Sequence, residues 1–424
     1  MALMTIPYDR GGLELALDDR RLAAVLAPKG LNAGAFGDDP IGHALANPHD
    51  SLPLAELARG RQRIAVITSD HTRPLPSAET LPRLLREIRA GNPGAEVTIL
   101  IGTGTHRPMT REEMYARFGE GIMARECLVC HRGDEPEALA LIGRLPSGAP
   151  LEINRLAAEA DLLVAEGFIE PHFFAGFSGG PKSVLPGIAG RRAILANHSG
   201  PNIGHPSARA GILDGNPVHE EMRAAARLAR LAFILNVVLD ERGRVAAAFA
   251  GGWHASHTAG AAFVLEHARV GVAPAPIAVT SNGGYPLDQN LYQAVKGMTA
   301  AEAAVQPGGR IIIAAGCADG MGGEGFAGLL AGMGSPAAFH ARACATPADE
   351  TVPDLWQAQI LARILSKCRV TVVTGHLAPD TALPRGLTIK RTLGEAVAEA
   401  LAEAGPEAKV TVIPDGVGVI PEYR

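Results

Sequence analysis

Residues 64–74 read IAVITSDHTRP, an apolar run of strand length that passes directly into a cluster of polar side chains. Short runs of this kind, rich in Val and Ile, are typical of strands buried on both faces of a parallel sheet. Comparable runs lie at 97–101, 162–165 and 234–238, and helical patterns such as 79–90 separate them. Alternating strands and helices predict an α/β fold with a parallel sheet.

A second series of the same kind fills the last third of the chain. Its apolar runs and helical patterns are, in chain order, 277–280, 288–304, 310–314, 354–367, 370–374, 393–404 and 410–413. The 424 residues suffice for two domains or more, and VGVAPAP at 270–276 is typical of a linker. We therefore predict two Rossmann-like α/β domains with mostly parallel sheets, residues 1–272 and 273–424.

The composition excludes several kinds of protein. A net charge of −5 gives no electrostatic reason to expect a nucleic-acid partner. The five cysteines are scattered, which suits a reducing compartment, and the CxxC formed by Cys127 and Cys130 has no second pair to complete a zinc site. The chain starts without a secretory signal pattern, and its apolar stretches fall short of the ~20 residues that cross a bilayer. We expect a cytoplasmic protein with no membrane partner.

Polar side chains follow three of the predicted strands, at the point where each strand ends. They are Asp70, His71, Thr72 and Arg73 after the first, His106 after the second, and His172 after the third. Ligands of open α/β sheets bind beyond the carboxyl ends of the strands. A single histidine in such a loop is most often structural, but three strand ends that deliver Asp, Arg and His together favour a functional site.

Residues 176–183, GFSGGPKS, approach the phosphate-binding pattern GxxxxGK[ST]. Pro181 replaces the glycine before the lysine, and proline supplies neither the N–H nor the permissive φ that a phosphate loop needs. This argues against a nucleotide triphosphatase and leaves a glycine-rich loop that presents Lys182 to an anion or a cofactor. His198 has no neighbours at zinc-site spacing, so a metal bound there would take most of its ligands from elsewhere.

The second domain contributes fewer candidates. Asp288 is a suitable N-cap for a helix that carries Tyr292, Gln293 and Lys296 on one face. By spacing alone, that face is equally consistent with a solvated surface. Trp356 opens another helix and, taken by itself, is typical of a core residue.

Together these motifs resemble one family, the nickel-dependent lactate racemase family of 2-hydroxyacid racemases and epimerases. The resemblance rests on DHTRP (70–74), GTHRPMT (104–110), EPHFFAGFSGGPKSVLPGIAG (170–190), NHS (197–199), YQAVKG (292–297) and DLWQAQILARI (354–364). The matches are collinear and extend over nearly the whole chain.

The resemblance implies a cofactor and a role for each candidate residue. The cofactor is a nickel-pincer nucleotide, a pyridinium mononucleotide with two sulfur-containing arms, held covalently at Lys182 through a thioamide. The other implied roles are His198 as the nickel ligand, Asp70, His71, Thr72 and Arg73 as the cofactor pocket, His106 and His172 as paired acid/base residues, and Arg73, Tyr292, Gln293, Lys296 and Trp356 as substrate-binding residues.

The implied activity is that of an isomerase with its active site in a cleft between the two domains. It would interconvert the enantiomers of lactate or another short 2-hydroxyacid by hydride transfer through a 2-ketoacid, and enzymes of cofactor synthesis would be needed for activation. Three alternatives stay open at this point: a C2 epimerase of a sugar acid, a non-catalytic carrier of nickel or cofactor, and a phosphate-loop ATPase.

Overall fold

The computed structural model describes residues 1–31, 36–378 and 380–423. Its strands are β1 (Ala2–Tyr8), β2 (Gly11–Leu17), β3 (Leu22–Val25), β4 (Arg63–Ser69), β5 (Glu96–Gly102), β6 (Cys127–Cys130), β7 (Leu139–Arg144), β8 (Pro150–Asn154), β9 (Leu162–Phe168), β10 (Pro171–His172), β11 (Gly176–Phe177), β12 (Leu231–Leu239), β13 (Val245–Gly251), β14 (Arg269–Val272), β15 (Ala275–Ser281), β16 (Val305–Ala314), β17 (Arg369–Val373), β18 (Leu387–Lys390), β19 (Val410–Ile413) and β20 (Ile420–Tyr423).

Its α-helices are α1 (Pro40–Ala46), α2 (Leu54–Ala58), α3 (Ser77–Gly91), α4 (Arg111–Arg125), α5 (Arg155–Ala158), α6 (Arg191–Asn197), α7 (Gly200–Gly204), α8 (Pro217–Leu228), α9 (Trp253–Ala268), α10 (Leu291–Ala304), α11 (Glu324–Ala331), α12 (Pro336–Ala345), α13 (Leu355–Lys367) and α14 (Leu393–Ala404). Every strand and helix predicted from the apolar runs is present, with ends that differ by a few residues.

The first large sheet has the strand order β13-β12-β9-β4-β5-β6, and its neighbours are parallel except for β13 with β12. β4 lies near the middle and is buried from Ile64 to Thr68. The chain proceeds from β4 outward through β5 and β6 and then returns to the other side of β4 as β9. Ligand crevices form where strand order reverses in this way, so the carboxyl ends of β4 and β9 point to the site.

The second large sheet has the order β18-β17-β16-β15-β19-β3 and is parallel throughout. The predicted α/β fold with mostly parallel sheets is confirmed. The strand β3 comes from the start of the chain, and Ile6 and Leu15 of the N-terminal hairpin pack with Ile277 of β15. Residues 2–25 therefore lie against the second sheet, although the sequence grouped them with the first. A domain boundary near residue 272 stays a prediction.

The stretch predicted as a linker, 270–276, is mostly strand, so that prediction was wrong. β14 pairs in parallel with β20 from Arg269 opposite Ile420 to Val272 opposite Tyr423, and β15 begins at Ala275. The partner strand lies about 150 residues further along the chain, which local composition does not reveal.

Helix α10 begins at Leu291 and is capped by Asn290, whose side chain accepts a hydrogen bond from the amide of Gln293 at 2.9 Å. The prediction of Asp288 as the cap was wrong. Asp288 is buried, and its carboxylate accepts from the backbone amide of Asp9 in the N-terminal hairpin at 2.7 Å. This carboxylate therefore ties the hairpin to the start of α10.

The glycine-rich segment 320–325 supplies further acceptors to the start of α10. The carbonyl of Gly320 accepts from the first amide of the helix at 3.0 Å, and that of Met321 accepts from the amide of Tyr292 at 3.1 Å. Gly322 has a φ of +97°, and a Cβ there would lie 2.6 Å from the Cβ of Tyr292. The close approach of this loop holds α10 in place for the site described below.

Within the described residues, no helix is long and apolar enough to cross a membrane. The cysteines are free thiols, and Cys127 and Cys130 both lie in β6 at the edge of the first sheet.

Candidate active site

A pocket of about 160 Å³ lies between the two domains, at the carboxyl ends of β4, β5 and β9 and beside the first turns of α10 and α13. The predicted residues that line it are Asp70, Arg73, His106, His172, Lys182, His198, Tyr292, Gln293, Lys296 and Trp356. Thr72 reaches the pocket through Asp70, whereas His71 does not line it. Side chains from both domains thus converge, while the role of each stays a prediction.

Asp70 orients His106. Its Oδ2 accepts a hydrogen bond from Nδ1 of His106 at 2.7 Å, and its Oδ1 accepts from the amide and the hydroxyl of Thr72 at 3.0 and 2.5 Å. Burial alone would raise the pKa of Asp70, but the bonds from His106 and Thr72 and the charge of Arg73 hold it well below its usual range. Asp70 is therefore an anion, and Nε2 of His106 is the nitrogen left to exchange protons.

His172 lies on the two-residue strand β10, which pairs with β11 at the start of the glycine-rich loop. The amide of Ala175 donates to its Nδ1 at 3.2 Å, and the ring packs edge-on against Phe174 at 4.6 Å between centroids. Burial, followed by the charges of Lys182 and Lys296, lowers the pKa of His172 well below its usual value. The ring is therefore held in one orientation and kept neutral.

The two histidines differ in how readily they carry a positive charge. Desolvation lowers the pKa of His106 as well, although 36% of its side chain is exposed, but the carboxylate of Asp70 opposes that effect. His172 has only cations among its strongest charged neighbours. A proton shared by the pair is therefore more stable on His106.

Two residues that the sequence reasoning missed clamp the loop that carries Lys182. Asn236 of β12 accepts from the amide of Gly180 at 2.7 Å, and Nε2 of His257 in α9 donates to the carbonyl of Ser178 at 3.0 Å. A Cβ on Gly180, whose φ is +51°, would lie 2.4 Å from the ring of His257. Asn236 interrupts the apolar run LAFILNVVL, and a buried amide inside a strand is a signal that could have identified it.

Replacing Asn236 with Ala should loosen this loop. The buried amide of Gly180 loses its acceptor, which costs about 1–3 kcal/mol of unfolding free energy. We expect faster amide hydrogen exchange in residues 178–183, measured by mass spectrometry. Asn154→Ala is the matched control. Asn154 is buried like Asn236, but its side chain caps a helix and none of its hydrogen bonds among the described residues reaches that segment. Equal exchange in the two variants would refute the clamp.

Lys182 lies in a 3-10 turn, Gly180–Ser183, and its ammonium group is destabilised. Burial, followed by the charges of Arg73 and Lys296, lowers the pKa of Lys182 to about 7. A large fraction of this amine is neutral at neutral pH and available as a nucleophile.

His198 follows the last residue of α6, and its Nδ1 bonds to the carbonyl of Ile194 at 3.0 Å. Its ring lies edge-on to Phe174 and Trp356, at 5.1 and 5.0 Å between centroids. Burial and the charge of Lys182 lower the pKa of His198 to about 3, so the ring is neutral with Nε2 as the free donor atom. Within the described residues, no three His, Cys, Asp or Glu side chains converge as a metal site. The free Nε2 of a neutral imidazole is a suitable donor to a metal.

Buried neutral histidines also predict how stability depends on pH. Burial lowers the pKa of His219 to about 3, whereas an unfolded histidine binds its proton below about 6.5. Between about pH 6 and pH 4 the unfolded chain binds more protons than the folded protein. The free energy of unfolding therefore decreases as the pH is lowered, by about 1.4 kcal/mol per pH unit for one such group.

We expect His219→Gln to reduce that slope by about 1.4 kcal/mol per pH unit relative to the unsubstituted protein. Urea denaturation at a series of pH values measures it, and the carboxylates common to both proteins cancel in the comparison. His43→Gln, at an exposed site, should keep the original slope. An unchanged slope in His219→Gln would contradict a buried, neutral His219.

The second domain closes the pocket with α10 and α13. The indole Nε1 of Trp356 donates to the hydroxyl of Tyr292 at 2.9 Å, so these two side chains brace each other. Gln293 has a buried Oε1 that meets no donor among the described residues, and it faces the pocket as a free acceptor. The ammonium of Lys296 lies 6.0 Å from the centre of the Phe173 ring, and burial together with the charge of Arg73 lowers its pKa.

Two α/β domains that enclose basic side chains, two histidines and a buried lysine are typical of an enzyme for a small-molecule substrate. Comparison with known proteins makes the assignment specific. The family model described as the lactate racemase N-terminal domain matches residues 8–211, and the one described as the lactate racemase C-terminal domain matches residues 270–421. The chain belongs to the lactate racemase family, a family of isomerases.

Individual relatives agree with the family models. The lactate racemase of Thermoanaerobacterium thermosaccharolyticum is 51% identical, with 99% of each chain covered, and that of Lactiplantibacillus plantarum is 48% identical over 99% of this chain and all of the relative. The structure of the former's apoprotein superimposes with a TM-score of 0.95 at 50% identity, covering 99% of this chain and 100% of that one. A Thermotoga maritima protein at 21% identity, with a TM-score of 0.67 and coverage of 88% and 96%, shares the fold.

Proposed function

We propose that this protein interconverts the enantiomers of lactate or of another short 2-hydroxycarboxylate. The observation that carries the proposal is the convergence of His106 and His172, from two different strand ends, on a pocket that also holds Arg73 and Lys296. Two bases and two carboxylate anchors are the groups that such a reaction needs, because the hydroxyl of each enantiomer lies on a different side of the anchored carboxylate. The names of the relatives support lactate as the substrate.

The donor set fits a nickel-pincer nucleotide. Lys182 offers a partly neutral amine for a covalent link, and His198 offers a neutral imidazole with Nε2 free. Asp70 and Arg73 line the adjoining wall, and Thr72 hydrogen-bonds to Asp70. When bound, this cofactor supplies the centre that takes up and returns the hydride of C2. Activation would therefore require the enzymes that make it.

The side chains of the pocket perform the remaining steps. Arg73 and Lys296 bind the substrate carboxylate, the former as a fork and the latter as a point charge. One histidine accepts the hydroxyl proton as C2 becomes planar. The other gives a proton to the keto oxygen as the hydride returns, and that oxygen becomes the hydroxyl of the second enantiomer. Asp70 stabilises the proton while it is on His106, and the cations around His172 favour its release from that ring.

The test is racemisation by protein co-produced with the cofactor-making enzymes. Each pure enantiomer of lactate, 2-hydroxybutyrate and glycerate is incubated with the protein, and the products are resolved by chiral chromatography. We expect both enantiomers of at least lactate to reach an equal mixture. Loaded protein that leaves every acid in the panel optically pure would refute the proposal.

A further inference from the structure

A second cavity, of about 480 Å³, adjoins the catalytic pocket between the two domains. The two share a wall made by His172, Phe173 and Lys296. On the far side of that wall, the segment 209–212 of the first domain faces α10 and β20 of the second. No step of the proposed reaction uses this space.

Positive charge exceeds negative charge on the lining of this cavity. The charged side chains are Arg209, Arg269, Lys296, Arg363 and Lys367 against Glu170, Glu302 and Glu422. Two of the three carboxylates are already paired, Glu302 with Arg363 at 2.7 Å and Glu422 with Arg269 at 2.9 Å. The third carboxylate, that of Glu170, forms no ion pair among the described residues, so three cations of the lining, Arg209, Lys296 and Lys367, have no carboxylate partner there.

Among the described residues, the hydrogen-bond partners of Arg209 and Lys367 are carbonyl oxygens. One nitrogen of the Arg209 guanidinium donates to the carbonyls of Ala208 and His205 at 2.8 and 3.4 Å, and Nζ of Lys367 donates to the carbonyl of Glu302 at 2.5 Å. The ion pairs found among the described residues include neither cation. Burial, followed by the charge of Arg363, lowers the pKa of Arg209 to about 10. Holding cations together in a half-buried space costs free energy, which a bound anion would recover.

Most of the other lining residues are apolar, among them Ile212, Leu265, Leu287 and Val419. An inorganic anion would leave that surface unused, whereas a carboxylate on a short carbon chain would contact both parts. We propose that this cavity is a second binding site for a short 2-hydroxycarboxylate, with Arg209 and Lys367 holding the carboxylate group. The identity of the acid rests on the proposed function. The site would hold a second acid molecule against the wall of the catalytic pocket.

The test uses full-length protein without cofactor and 3,3,3-trifluorolactate as the probe, followed by fluorine NMR. An Arg73→Met background removes one anchor of the catalytic pocket and weakens binding there, and changes confined to the second cavity then identify the part of the remaining binding that belongs to it. In that background we expect saturable binding, and a further Arg209→Met change should weaken it at least about tenfold. Arg227→Met, at an exposed arginine of α8, is the matched control and should leave the affinity unchanged.

A steric variant tests the same cavity without a change of charge. Ala303→Phe fills space on the cavity face of α10 and should weaken binding to a similar extent. The inference is overturned if the Arg73→Met protein does not bind the probe, or if Arg209→Met and Ala303→Phe bind it as tightly as their parent. These outcomes are separate from racemisation by the loaded enzyme, so either proposal can fail while the other stands.

Discussion

Lys182→Ala protein co-produced with the cofactor-making enzymes is expected to show the mass of the bare polypeptide and no measurable racemase activity. The unsubstituted protein should carry an adduct under the same conditions. The physical reason is the lowered pKa of Lys182, about 7, which leaves much of its amine neutral and nucleophilic at neutral pH. Intact-mass spectrometry measures the adduct, and chiral chromatography measures the activity.

Lys296→Ala is the matched control, because burial lowers the pKa of Lys296 in the same pocket. It should keep the adduct and lose activity through weaker substrate binding. Lys182→Arg should behave like Lys182→Ala, since a guanidinium stays protonated and is not a nucleophile. An adduct on Lys182→Ala, or loss of the adduct from Lys296→Ala alone, would show that the covalent link does not form at Lys182.

Replacing either His106 or His172 with Gln should lower the turnover number by about 10²–10⁴-fold, the usual contribution of a positioned acid or base. Each variant should still carry the adduct, because neither ring touches Lys182 through a hydrogen bond in the described chain. Turnover from each enantiomer is measured together with intact mass. His43→Gln, at an exposed histidine, should turn over normally.

Asp70→Asn separates orientation from charge at His106. An amide oxygen still accepts from Nδ1, but it no longer stabilises the protonated ring, so the pKa of His106 should fall further. NMR titration of the His106 ring protons checks this shift. Full activity in His106→Gln or in His172→Gln would reject a mechanism with two bases.

Local sequence was sufficient for the fold class and for most of the pocket. An apolar run of strand length can be recognised from the local sequence alone. The polar residues that follow β4, β5 and β9 are then placed at the carboxyl edge of the sheet, because each directly follows such a run. Asp70, His106 and His172 were therefore predictable as neighbours, and the block 170–190 carried the resemblance that the family models bear out.

Only the tertiary structure decided which distant segments meet. Strand β3 joins the second sheet, and the N-terminal hairpin before it packs against that sheet. Residues 269–272 pair with the last strand, and Asn236 and His257 clamp a loop more than 50 residues before them. The lowered pKa values have the same origin, because desolvation and charge at Lys182 depend on Arg73 and Lys296, which lie about 110 residues away on either side. Free energies of burial and of charge–charge interaction depend on distances in space, and those follow from the packing of the whole chain.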